Sequence, residues 1–189
     1  MDTKKRIADL RELMKKNNID YYLIPSSDYH QSEYVGEHFK CRKWISGFTG
    51  SAGTVLIGQD MAGLWTDGRY FIQAARQIAE NNITLFKMGE PNVPTILEYI
   101  QKNMKAGETL GFDGKVIEAS FVKKLSNKIK VNADYDLIGE IWKDRPSLPD
   151  SKAYILDVKY TGESLKEKVK RIQDKLLEKK ASNMMNCLA

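Results

Sequence analysis

The amino-acid sequence predicts an α/β fold in which a mixed β-sheet is flanked by helices on both faces. Short apolar runs alternate along the chain with amphipathic segments of about 10 to 15 residues, which is the pattern of a layered sheet covered by helices. Two of these runs, 54–58 and 62–66, lie on either side of Gln59-Asp60 and therefore predict an antiparallel pair. The close pair makes the predicted sheet mixed.

The first elements follow from periodicity and from residues that stop an element. Apolar residues recur at helical spacing from Ile7 to Met14, so the sequence predicts a helix over 3–17. A strand over 21–24 follows and is stopped by Pro25. Residues 26–43 are polar and are predicted to be irregular.

The later elements continue the alternation. A helix is predicted from Arg69 to Ala79, because Tyr70, Ile72 and Ile78 give it an apolar side. The rest of the chain predicts strands over 83–87, 110–112 and 131–133, helices over 94–104, 118–129 and 138–142, and a long charged helix over 164–180.

Residues 146–152 predict a linker between two domains, because this polar segment contains two prolines and interrupts the pattern. The first domain is predicted over 1–145. Residues 153–189 are predicted to be the truncated beginning of a second, similar domain, with a strand over 184–188 after its helix. Positions 165 residues apart match, as in Arg6 and Arg171, which indicates an internal repeat; chance similarity of two lysine-rich helices is the alternative.

Composition and charge exclude two classes of partner. The net charge of +5 lies on two amphipathic helices, since residues 1–18 and 163–180 each carry +3 and the remainder carries −1. Solvated helix faces explain this charge, so we exclude nucleic acid. No apolar run approaches the ~20 residues of a membrane span, so we exclude a membrane partner as well. Cys41 and Cys187 lie in unrelated contexts, which favours a cytoplasmic location.

Few residues offer chemistry of their own. His30 and His38 lie in an acidic loop, but their spacing matches no usual metal-ligand pattern, and we interpret them as polar loop residues rather than metal ligands. Cys41 is flanked by Lys40, Arg42 and Lys43, which could lower the pKa of its thiol. No base is placed beside it by the sequence, and we interpret it as a bystander. Gly47, Gly50 and Gly53 indicate tight turns and close backbone approach rather than a phosphate loop.

The segment Trp65–Phe71 contains an unusual cation. After the strand, Asp67 can cap the following helix by accepting from free backbone N–H groups. Arg69 would then lie in the first turn, where the helix dipole disfavours a positive charge. We expect Arg69 to pair with an acid, to be solvated, or to point at something outside the domain.

Three blocks of sequence carry a resemblance to a known family: HQSEYV at 30–35, RKWISGFTGSAGT at 42–54 and WTDGRYF at 65–71. Shorter matches follow at 111–113, 141–146 and 160–162. Together they resemble the N-terminal domain of Xaa-Pro aminopeptidase (aminopeptidase P) in the creatinase/prolidase group, and most of all its long, three-domain cytosolic form.

The resemblance implies a role without chemistry for this chain. Enzymes of the family remove the N-terminal residue from peptides with proline in second position. Two Asp, one His and two Glu of a C-terminal catalytic domain hold two divalent metal ions, commonly manganese, and none of these ligands can be assigned here. We therefore expect no catalytic or metal-binding residue in this chain and an intramolecular partner in the missing catalytic domain. The chain would form a wall of the substrate cleft and support a homodimer, with Arg69 as the substrate-binding residue.

Two other functions stay open at this point. The chain could be an independent pseudoenzyme module that binds a peptide or protein, or the N-terminal part of a prolidase- or creatinase-like enzyme with another substrate. A natural reading frame that continues with the five metal ligands would favour the aminopeptidase over the independent module.

Overall fold

A computed structural model of the chain describes residues 2–181, which fall into two compact units, one ending at Pro149 and the next beginning at Asp150. The first unit is built on one six-stranded sheet. Its strands are β1 (Tyr21–Pro25), β2 (Thr54–Gly58), β3 (Ala62–Thr66), β4 (Thr84–Lys87), β5 (Thr109–Gly111) and β6 (Lys130–Asn132). The predicted strand over 184–188 lies outside the described residues.

The sheet is mixed, as the sequence predicts. Its strand order is β4-β3-β2-β1-β5-β6, with β2 antiparallel to both of its neighbours and the remaining pairs parallel. The predicted antiparallel pair is confirmed with both strands at the predicted bounds, and its register places Thr54 opposite Trp65 and Ile57 opposite Ala62. The central position of β1 buries it on both faces and explains its unbroken run of apolar residues.

Helices cover both faces of the sheet, which confirms the predicted architecture. The helices of the first unit are α1 (Thr3–Lys16), α2 (Cys41–Ser46), α3 (Phe71–Ile78), α4 (Ile96–Asn103), α5 (Ala119–Lys123) and α6 (Leu137–Ile141). Side chains alternate across a strand, so Tyr22 and Ile24 join one core with α1, α2, α3 and α6. Leu23 joins the opposite core with α4 and α5.

Two predicted segments differ from the structure. The helix expected over 118–129 is shorter in the structure, where α5 ends at Lys123. The chain then turns at Ser126, whose carbonyl oxygen accepts a hydrogen bond from the Ile129 N–H. Serine competes with helix geometry by favouring local turns. Residues 26–43 were predicted to be irregular throughout, whereas a 3₁₀ turn over Glu37–Phe39 and the start of α2 lie there. Helix α2 has only six residues, too few for a clear periodic pattern.

Aromatic stacking fixes α2 against the rest of the unit. The rings of Trp44 and Trp142 are stacked with centroids 5.3 Å apart. The guanidinium of Arg6 lies 4.6 Å from the Trp44 ring and also donates a hydrogen bond to the Trp44 carbonyl. Helices α1, α2 and α6 are thereby connected, which makes α2 a fixed support for the loop that follows it.

The second unit contains α7 (Val158–Thr161) and α8 (Leu165–Glu178). Helix α8 has a capping box in which Ser164 and Glu167 satisfy each other's backbone N–H groups. Helices α1 and α8 each have 14 residues. None of the helices in the described part of the chain has the length and apolar composition of a membrane span.

Candidate functional site

The turn between β3 and α3 is built around Asp67. Its carboxylate Oδ1 accepts a hydrogen bond from the backbone N–H of Arg69 at 3.0 Å, and a 3₁₀ turn over Gly68–Tyr70 leads into α3. This cap satisfies a backbone donor that the start of a helix leaves free. The structure confirms the predicted capping role of Asp67.

Arg69 is paired with Asp67 and exposed at the same time. Its Nε donates to Asp67 Oδ1 and its Nη2 to Asp67 Oδ2, both at 2.9 Å, while 65% of its side chain is accessible. The hydrogen bonds from Arg69 lower the pKa of the Asp67 carboxyl, and those to Asp67 raise the pKa of Arg69. The acid needed to balance a cation at a helix start is therefore the capping residue itself.

Tyr70 connects this turn to a distant loop. Its hydroxyl lies 2.7 Å from Ser51 Oγ, and its ring lies edge-on to Phe48 with centroids 5.8 Å apart. The hydrogen bond with Ser51 lowers the pKa of Tyr70. The guanidinium of Arg69 lies 5.3 Å from the centre of the same ring, a distance at which a cation and an aromatic ring attract each other.

Glycines of the loop over 47–53 allow a tight turn and close approach, as the sequence predicts, and the structure shows that one of the groups approached is Tyr70. Gly47 has a φ of +76° and ends α2 in the left-handed conformation. A Cβ atom on Gly50 would lie only 2.8 Å from Tyr70 Cδ1 and would collide with the Phe48 ring. A Cβ atom on Gly53 would lie 2.9 Å from the carbonyl oxygen of Trp65. A side chain at Gly50 would therefore push the loop away from Tyr70, and one at Gly53 would push it away from the backbone of Trp65.

Arg42 holds the same loop from inside the protein, a role that the sequence did not reveal. It is only 4% exposed and donates to Ser26 Oγ at 2.8 Å and to the carbonyl oxygens of Phe48 and Gly50. Burial lowers the pKa of Arg42 to about 10, so its guanidinium stays charged at neutral pH. The loop is therefore held at two neighbouring residues, since Arg42 binds the Gly50 carbonyl oxygen and Tyr70 binds the Ser51 hydroxyl.

The pKa of the Cys41 thiol is raised, whereas the neighbouring cations in the sequence suggested that it could be lowered. Burial raises its pKa to about 12, although Arg145 partly opposes that effect. Arg42 gives no help, because its guanidinium is turned into the loop over 47–53. Cys41 lines a small cavity of about 20 Å³ beside Asp136 and Arg145, with room for roughly one water. The structure thus corrects the suggested lowering of the thiol pKa.

An open groove adjoins the Asp67–Tyr70 turn. This cavity of about 200 Å³ is lined by residues of the 26–35 loop, α2 and the 47–53 loop, among them Glu33, Tyr34, Lys43 and Ser51. Ser51 is bonded to Tyr70, and Glu33 is close enough to Arg69 to favour its charged form. The groove is a concave surface of the kind that receives ligands, and the turn adjoins it through the contact between Tyr70 and Ser51.

The two histidines do not come together as a metal site. The backbone N–H of His30 donates to Asp28 Oδ1 at 2.9 Å, and a ring nitrogen of His38 lies 2.7 Å from the carbonyl oxygen of Pro146. Within residues 2–181, no three His, Cys, Asp or Glu side chains are grouped so that they could hold a metal ion. The described residues therefore do not fit a metal centre.

Comparison with known proteins gives one consistent group of relatives. Residues 6–146 match the model of the Creatinase/Prolidase N-terminal domain. The probable Xaa-Pro aminopeptidase P of Talaromyces marneffei is 41% identical over 98% of this chain and 29% of its own length. That of Tuber melanosporum is 42% identical over 96% of this chain and 30% of its own length. The chain thus spans about 30% of the length of the curated relatives it matches.

A solved structure agrees with these sequence matches. The X-prolyl aminopeptidase of Caenorhabditis elegans, described as a cytosolic enzyme with a di-nuclear active site, is 32% identical and superimposes with a TM-score of 0.80. The match covers 95% of this chain and 32% of the nematode protein. The similarity therefore extends beyond the sheet of the first unit to nearly all of the chain.

Proposed function

Because the chain belongs to the Creatinase/Prolidase N-terminal domain family, we propose that it forms the N-terminal region of an Xaa-Pro aminopeptidase. Such an enzyme would release the N-terminal residue from peptides with proline in second position. The observation that carries this proposal is the identity of about 41% that extends over nearly the whole chain to probable Xaa-Pro aminopeptidases. Residues 153–189 would begin a second, similar domain after a linker over 146–152.

In this enzyme the chain would supply part of the substrate cleft, and Arg69 would contact the peptide. Three features support that role: the guanidinium is exposed, it is already oriented by Asp67, and it adjoins a groove of about 200 Å³. An exposed arginine that is held in one rotamer loses little conformational entropy when a ligand binds.

The hydrolytic chemistry would lie elsewhere in the full-length enzyme. Two metal ions, which we propose to be manganese, can polarise the scissile carbonyl and activate a water. The described residues do not fit such a centre, so the proposed role of this chain is substrate contact and assembly, without turnover of its own. A cytoplasmic location and a homodimeric full-length enzyme belong to the same proposal; analytical ultracentrifugation tests the homodimer.

The substrate contact is tested by Arg69→Ala in the full-length enzyme with an Arg-Pro-Pro peptide. We expect kcat/KM to fall about tenfold, since an interaction with the substrate is lost, while the metal content stays unchanged. Arg76→Ala is the matched control, because Arg76 is an exposed arginine on the following helix α3 and takes no part in the Asp67–Tyr70 turn. Unchanged kinetics for Arg69→Ala would remove Arg69 from the substrate cleft.

The absence of turnover in this chain is tested separately. The purified 189-residue chain is incubated with manganese and the same peptide, and the released N-terminal residue is quantified. We expect no release above the buffer control. Release of more than one equivalent per chain would contradict the proposed division of roles.

A further inference from the structure

The guanidinium of Arg69 is occupied along one edge only. Asp67 binds Nε and Nη2 together, which fixes the plane of the guanidinium as a bidentate pair does. Five N–H groups are available on an arginine, so two on Nη1 and one on Nη2 stay directed away from Asp67. None of the described residues accepts a hydrogen bond from Nη1, while the Tyr70 ring lies against the guanidinium at 5.3 Å. These three N–H groups are therefore oriented by the pairing with Asp67 and can donate hydrogen bonds to a ligand.

The charge of Arg69 is largely cancelled at the place where it would meet a ligand. Asp67 lies in direct contact with it, and Glu33 lines the adjoining groove together with Lys43. Two further cations of the lining are already bound, since Lys40 is paired with Glu37 and Arg42 donates to the carbonyl oxygens of Phe48 and Gly50. A carboxylate that approaches the free end of Arg69 also approaches two other carboxylates, and like charges at short range repel. A neutral carbonyl oxygen can accept from the same N–H groups without that penalty.

We propose that Asp67 is a positioning and specificity-determining residue: it orients Arg69 and neutralises it, so that the pair donates to neutral peptide carbonyl groups and discriminates against acidic peptides. This inference rests on the proposed function, in which Arg69 contacts the substrate. It differs from a purely structural role of Asp67 because it predicts a change in substrate preference.

The test is Asp67→Asn in the full-length enzyme. Asparagine remains a good helix cap and is nearly isosteric, so the turn is kept while the negative charge is lost. KM and kcat are measured for Xaa-Pro peptides that differ only by Glu in place of Gln at the first or the third position. For the wild type we expect a higher KM for the Glu peptide. In Asp67→Asn the ratio of the two KM values should fall about threefold, the size of effect typical of an exposed charge pair.

A matched control exists in the second unit. Asp157 caps α7 by accepting from the Lys159 N–H at 2.9 Å, in the same Asp-x-cation-Tyr arrangement. Asp157→Asn should leave the KM ratio unchanged. A second variant, Asp67→Ser, keeps a capping oxygen and should reproduce the change seen with Asp67→Asn; the urea midpoints of all variants show whether the fold is retained.

Failure of this inference can be distinguished from failure of the proposed function. If Arg69→Ala leaves kcat/KM unchanged for every peptide, the proposed contact is wrong and this inference falls with it. If Arg69→Ala weakens turnover but Asp67→Asn leaves the Glu-to-Gln ratio of KM unchanged, only the role of Asp67 is overturned.

Discussion

The turns at Asp67 and Asp157 begin alike and end differently. Both read Asp-x-cation-Tyr, in both the aspartate accepts from the backbone N–H two residues later, and in both the cation lies within 5.3 Å of the following tyrosine ring. At Asp67, however, Arg69 approaches the carboxylate to 2.9 Å, whereas Lys159 stays 3.9 Å from Asp157. The Tyr70 hydroxyl is hydrogen-bonded to Ser51, while Tyr160 is 70% exposed.

The difference shows that a local sequence pattern is enough to form the cap but does not determine the contacts of the cation and the tyrosine that follow it. Four residues suffice for the aspartate to satisfy a backbone donor. The planar fork of arginine matches a carboxylate with two hydrogen bonds, and lysine presents only a compact charge on a flexible stem. The contact with Ser51 then comes from a loop 19 positions away and is absent from the pattern itself. Four changes would break or sharpen this comparison.

The largest effect is expected from removing the side chain of Arg42, which holds the loop that contacts the Asp67–Tyr70 turn. Arg42→Ala would leave the Ser26 hydroxyl and the carbonyl oxygens of Phe48 and Gly50 without their donor in a buried position. We expect the free energy of unfolding to fall by about 3 kcal/mol. Urea denaturation measures it, with the exposed neighbour Lys43→Ala as control, expected within about 0.5 kcal/mol of the wild type. Equal midpoints for the two variants would contradict the bracing role.

Gly50→Ala should also disturb the braced turn. Its Cβ would lie 2.8 Å from Tyr70 Cδ1, so the ring or the loop must move, at a cost of about 1–3 kcal/mol. Gly68→Ala, within the turn, is the control because the nearest atom to its Cβ would be 3.9 Å away. Thermal unfolding should separate the two variants, and similar midpoints would show that the loop adapts freely.

A smaller effect is expected from the tyrosine hydroxyls. Tyr70→Phe removes the bond with Ser51 and should cost about 1 kcal/mol, the usual net contribution of one hydrogen bond. Tyr160→Phe should be neutral, since among the described residues its hydroxyl has no hydrogen-bond partner. Urea midpoints compare the two directly; a neutral Tyr70→Phe would mean that the two turns are equally independent of their surroundings.

The smallest effect concerns pH. Arg69 lowers the pKa of the Asp67 carboxyl below its ordinary value, so the carboxylate of the folded protein binds a proton later than that of the unfolded chain as pH falls. The stabilising pair is therefore fully present above the unfolded pKa and is lost only as pH falls through the lowered folded one. A ¹³C NMR titration should place the Asp67 midpoint below that of Asp67 in Arg69→Ala. Identical midpoints would contradict the pairing.

Some features of the fold could be predicted because they depend on neighbouring residues. The strands over 54–58 and 62–66 were predicted to the residue, since their apolar runs are short and the residues between them interrupt the pattern. The helix predicted over 118–129 is too long, because its later apolar residues, Leu125 and Ile129, are buried although they lie in turns after the end of α5. Apolar periodicity reports burial, and a helix is only one way to achieve it.

The candidate site divides in the same way. The cap at Asp67 and the close approach at Gly50 follow from residue type, so the sequence could predict them. Arg42 could not be distinguished from Lys40 and Lys43 beside it, although it is 4% exposed and Lys43 is exposed. Whether a cation in a short helix faces the core or the solvent depends on what packs against that helix.

The sequence by itself determined the class of fold, the six strands along the chain, the cap at Asp67 and the family resemblance, because alternation, turn chemistry and motifs are carried by residues close together in the chain. Only the tertiary structure decided that Tyr70 meets Ser51, that Arg42 holds the loop over 47–53 and that burial raises the pKa of Cys41. Each of these depends on which distant segments pack together, and desolvation and long-range hydrogen bonds exist only after that packing.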